Sequence, residues 1–71
     1  MNCQVFIITP RIEYRAKLLK SLPQVLKALR EVKILGKGRT GITVSVPEGY
    51  NIKTSLPVAT RQLCFVEKAE S

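Results

Sequence analysis

Residues 3–9, CQVFIIT, form a nearly unbroken run of apolar and β-branched side chains. Such a run predicts a strand covered on both faces, and therefore a central one. Thr9 followed by Pro10 is a helix start signal, with threonine as the cap and proline as the first helical residue. From there the period changes. Placed at about 100° per residue, Ile12, Tyr14, Leu18, Leu19, Leu22, Val25, Leu26 and Leu29 share one arc, while Glu13, Lys17, Lys20, Gln24, Lys27 and Glu31 oppose it. The pattern predicts one amphipathic helix over residues 10–31. Pro23 removes the amide that would bond the carbonyl of Leu19, and SLPQ could instead open a second helix capped by Ser21. The apolar arc keeps its phase across the proline, which favours a single kinked helix. Arg15 falls inside the apolar arc, so it must extend out of it or meet a partner.

The second half reverts to strand signals. Residues 32–36, VKILG, make a short strand. In ITVSVP, Ile42, Val44 and Val46 alternate with Thr43 and Ser45, the mark of a half-buried antiparallel strand that Pro47 ends. GKGRTG, residues 36–41, is then a hairpin loop. Residues 48–62 are turn-rich, with Gly49, Asn51 and Pro57, and leave room for a short helical turn after Ser55. LCFV, residues 63–66, reads as a last strand with apolar side chains on both faces, which makes Phe65, like Phe6, a core candidate. Residues 66–71 are expected to fray.

These elements predict one small α+β domain over residues 1–71. Its order is β-α-β-β-(irregular or short helix)-β, with an antiparallel or mixed sheet and one main amphipathic helix packed on one face. A single helix covers one face only. The other face must meet segment 48–62 or a second copy of the chain, which motivates the expectation of a homodimer.

Charge adds a partner class. Twelve Lys and Arg oppose five Glu, with no Asp, for a net +7. Nine of the twelve (Arg11, Arg15, Lys17, Lys20, Lys27, Arg30, Lys33, Lys37, Arg39) lie between residues 11 and 39 against Glu13 and Glu31, whereas residues 40–71 sum to zero. A contiguous positive field of this kind draws polyanions, nucleic acid first and an acidic protein surface second. A membrane-surface role is weaker, because the helix needs its apolar arc for the core.

The glycine hairpin is the strongest candidate site. Glycines allow positive φ and close approach of amides to an anion. Arg39 could grip a phosphate or a guanine edge with two hydrogen bonds, while Lys37 acts as a point charge and Lys33 adjoins them. Lys17, Lys20 and Lys27 on the helix would assist. With no exposed aromatic platform expected, contact with a duplex backbone fits better than stacking on single strands.

Gly38-Arg39-Thr40-Gly41 resembles the GxxG loop of KH domains, but that family continues into a helix where ITVSV here reads as strand. VKILGKGR…ITVSVPEGY is similar to the opening of the AbrB/MazE swapped-hairpin DNA-binding family over about 25 residues. The leading strand and helix lie outside that pattern, and no residue is carried over from it.

Catalysis is not expected. Without histidine or aspartate, no Ser-His or Cys-His pair can form, and two cysteines alone build neither a metal site nor a disulfide framework. Cys3 and Cys64 read as reduced, partly buried thiols of a cytoplasmic protein. No apolar run approaches the ~18 residues of a membrane span, and the N-terminus lacks a signal-peptide pattern. No cofactor or metal is implied. The sequence thus predicts a small, basic, cytoplasmic nucleic-acid-binding protein, such as a regulator or mobile-element factor, with duplex DNA as the main partner and RNA as an alternative. The competing reading is a non-catalytic interaction module, inhibitor or small subunit docking on an acidic protein surface.

Overall fold

The computed structural model describes residues 2–69, which fold as a mixed α+β domain. The elements are β1 (Cys3–Pro10), α1 (Arg15–Ala28), β2 (Lys33–Lys37), β3 (Ile42–Pro47), α2 (Ile52–Ser55), α3 (Val58–Leu63) and β4 (Cys64–Lys68). The four strands pair antiparallel throughout in the order β2-β3-β1-β4. β1 and β2 flank β3 in a split β-α-β arrangement. β1 is central, as its apolar run implies, and β4 is an edge.

The core lies between the sheet and the helices. Ile8 of β1, Ile42, Val44 and Val46 of β3, and Cys64 of β4 turn their side chains to one face. Leu22 and Leu26 of α1 close over them and are fully buried. Each such leucine contributes about 1.5–3 kcal/mol relative to an exposed side chain. Ile52 of α2 and Leu56 just after it complete the same cluster. Segment 48–62 therefore sits on the same side of the sheet as α1, and not on the second face as the strand pattern allowed. With both helical segments competing for one core, the other sheet face is left open within the chain.

Several boundaries move. Pro10 belongs to β1, opposite Cys64, and the Arg11 amide donates to the Leu63 carbonyl at 2.8 Å, so the backbone stays extended past the expected helix start. Thr9 is a strand residue and caps nothing. A single 3-10 turn, Ile12–Tyr14, leads into α1. Pro23 lies inside α1, so one helix does cross it. The helix stops at Ala28, short of residue 31, because Leu29 is extended (φ −93°, ψ 102°) and the Val32 amide turns back to the Leu29 carbonyl. Arg15 packs with its Nε buried and unpartnered, so its stem does not clear the apolar arc. β4 runs on to Lys68, and the Ala69 amide donates to the Val5 carbonyl at 2.8 Å, which ties down most of the tail expected to fray; residues 70 and 71 lie outside the described part.

The 32–47 hairpin pairs with β1 of its own chain through β3, so the likeness to swapped-hairpin proteins does not extend to the architecture. The glycine loop also works differently from the expectation. Among the described residues only Gly49 has positive φ (90°), and it sits in the turn where the Tyr50 amide bonds the Pro47 carbonyl at 3.0 Å. No described helix is long and apolar enough to cross a membrane.

Candidate nucleic-acid interface

Of the nine cations in segment 11–39, eight are exposed and only Arg15 is half-buried. They do not form one surface. Lys17, Lys20 and Lys27 lie on the side of α1 opposite Leu22 and Leu26, which makes them the outer wall of the helix layer. Lys33 stands across from Ser45, which alternates with buried Val44 and Val46, so Lys33 belongs to the open sheet face. An irregularity at Leu35 then shifts the register: Gly36 pairs with Thr43 and Lys37 with Ile42. Without that extra residue Lys33 and Lys37 would share a face, but the bulge turns Lys37 to the helix side. Six candidate residues read as one patch along the sequence are thus distributed over the helix wall (Lys17, Lys20, Lys27), the open sheet face (Lys33) and the hairpin end (Lys37, Arg39).

The hairpin end is the most coherent part. The loop is closed by the Gly38 amide bonding the Gly41 carbonyl at 2.8 Å, with Arg39 and Thr40 at its tip. Gly41 is buried against the end of β1, beside Ile8 and Thr9. The tip therefore stands at the same end of the sheet as Arg11.

Around Arg11 lies a cluster that charge counting passes over. Thr9 pairs with Phe65 and Ile7 with Glu67, all four on the open face. Phe65 is 54% exposed, contrary to its reading as core, and the Arg11 guanidinium lies over its ring at 5.6 Å from the centroid. Beside the ring, along the free edge of β4, runs an open groove of about 310 Å³ lined by Lys53, Arg61, Cys64, Phe65, Val66 and Glu67. Lys53 and Arg61 belong to the half of the sequence that is neutral in sum, and the fold brings them into one groove with Phe65. The signal that could have found Phe65 is the alternation of CFVE: Cys64 and Val66 point inward, so Phe65 shares its side with charged Glu67. Ending the strand at Val66 hides that pattern.

Ile7 is 39% exposed and Leu35 53%, so the open face is apolar in patches between basic side chains. Neither cysteine is bonded. Cys3 is exposed, not partly buried, while Cys64 is buried and its thiol is pushed above the ordinary value of 9.0 by loss of water. The β1–β4 register sets Cys64 beside Pro10, seven residues along β1 from Cys3, so the two cannot meet. Among the described residues no group of three or more Cys or Glu side chains comes together as a metal site would require. No family model matches this chain, and no curated protein or solved structure matches it, so its chemistry rests on the residues themselves.

Proposed function

We propose that this chain is a non-catalytic nucleic-acid-binding domain whose excess positive charge meets the phosphate backbone. The observation that carries the reading is the exposure of eight of the nine cations packed into residues 11–39 of a chain with net charge +7. Exposed cations release counterions from a polyanion wherever they meet its phosphates, a gain that depends on salt and needs no sequence-specific contact. The hairpin tip with Lys37 and Arg39 is the primary contact, and Arg11 at the same end of the sheet extends it. Lys17, Lys20 and Lys27 on the helix wall and Lys33 on the sheet act as flanking charge, since one straight duplex cannot touch both sides of the sheet at once. Unbonded thiols, one of them exposed, suit a reducing compartment such as the cytoplasm.

The test is binding to mixed DNA and RNA across a salt series. The logarithm of affinity should fall with the logarithm of salt, by a slope of about −0.9 per neutralised phosphate on a duplex. Replacing Lys37 and Arg39 together by alanine should flatten that slope by about 2. An absence of binding near physiological salt rejects the proposal in favour of an acidic protein partner, and an unchanged slope removes the hairpin from the site.

A further inference from the structure

From the open face and its one stacked aromatic we infer that the preferred ligand is an unpaired stretch of nucleic acid, with a base stacked at Phe65 and the neighbouring phosphates held by Arg11, Arg61 and Lys53. This deepens the proposed function and rests on it. The expectation of duplex binding depends on the absence of an exposed aromatic, and Phe65 removes that ground.

Three features converge. The first is an aromatic ring: Phe65 is 54% exposed, and a base can stack there over, or in place of, the Arg11 guanidinium, independent of sequence. The second is the Arg11 guanidinium over that ring, a planar cation able to stack on a base or to bond a phosphate bidentately. The third is the groove along β4, whose lining joins the cations Lys53 and Arg61 to Phe65 and so offers positive charge to the phosphates on either side of a base at the ring. Counted together, Arg11, Lys53 and Arg61 against Glu67 leave this corner at 3 − 1 = +2. A stacked duplex has no base free to lie on Phe65, whereas unpaired bases do. The open face beside β4 sets Ile7 and Thr9 next to the ring, where a flexible strand can run. Glu67 lies on the same face two residues from Phe65 and opposes the backbone there.

The experiment compares a labelled, unstructured single strand of about 12 nucleotides, as DNA and as RNA, with its own duplex, by fluorescence anisotropy near physiological salt. The full chain is used with Phe65→Ala, Phe65→Trp and Glu67→Gln variants, each checked by circular dichroism; these positions are exposed, so folding should persist. Expected are tighter binding of the single strand than of the duplex, a loss of about fivefold or more with Phe65→Ala, retention with Phe65→Trp, and tightening with Glu67→Gln. Equal or tighter duplex binding that Phe65→Ala leaves unchanged overturns this inference while leaving the proposed function standing. Failure to bind either form overturns both. Sedimentation of the free protein supplies the remaining arm: a dimer that Phe65→Ala dissociates makes this face a subunit interface and rejects the inference.

Discussion

Gly41 lies so close to Ile8 that a β-carbon on it would stand 2.6 Å from the Ile8 carbonyl oxygen. The obstacle is backbone of the central strand, so it cannot rotate aside as a flexible side chain would. Gly41 is thus needed for close approach of the hairpin to β1, and positive φ plays no part. Gly41→Ala should destabilise the domain by about 1–3 kcal/mol, as overpacking does. For a domain of this size each kcal/mol lowers Tm by roughly 4–8 °C. Gly36→Ala is the control, because no atom lies within 4 Å of a β-carbon there, and it should stay within about 0.5 kcal/mol. Equal melting of the two variants would contradict the tight seat of Gly41.

Pro23 sits between Leu22 and Gln24 in the body of α1. Its ring nitrogen offers nothing to the Leu19 carbonyl, yet the helix continues because Leu22 and Leu26 hold both sides of it in one core. Pro23→Ala restores the donor and should raise the free energy of unfolding, by up to about 3 kcal/mol, in urea denaturation. A variant less stable than the parent would show that the proline ring is itself a packing element.

The turn at Gly49 makes a separate demand. With φ at 90° and the Tyr50 amide bonded to the Pro47 carbonyl, Gly49 occupies the third position of a type II-like turn. Gly49→Ala has open space for its methyl group but the wrong backbone region, and should cost on the order of 1 kcal/mol. Thermal melting beside Gly41→Ala would separate a cost of conformation from a cost of contact.

The two thiols should behave differently. Cys3 is exposed and Cys64 buried, so a thiol reagent should modify one cysteine quickly and the second only on unfolding. Burial raises the Cys64 pKa above 9.0 in the folded chain. The neutral thiol is then favoured by folding, and its contribution to stability is fully present below the unfolded value and lost as pH rises through the folded one. Stability should begin to fall above about pH 9, and Cys64→Ala should lose this alkaline slope even though it lowers stability at neutral pH. A slope that Cys64→Ala leaves intact would contradict its assignment to this thiol.

Local periodicity by itself determined which side chains share a face. The 3.6-residue arc joined Leu22 to Leu26 across Pro23, the two-residue alternation placed Ile42, Val44 and Val46 inward, and the continuous run of β1 made it central. Those signals need only neighbours in sequence. Which element covers a face is decided by partners distant along the chain, and there the tertiary structure ruled. Ile52 and Leu56 joined α1 in one core, so the second sheet face stayed bare; pairing with Cys64 kept Pro10 in β1; and one extra residue at Leu35 set Lys33 and Lys37 on opposite sides. The same pairing made β4 an edge and exposed Phe65 beneath Arg11. Charge shows the same division, because its sum and its position along the chain are properties of the sequence, whereas setting Arg11 over Phe65 beside a groove that Lys53 and Arg61 line required the sheet to order its strands β2-β3-β1-β4.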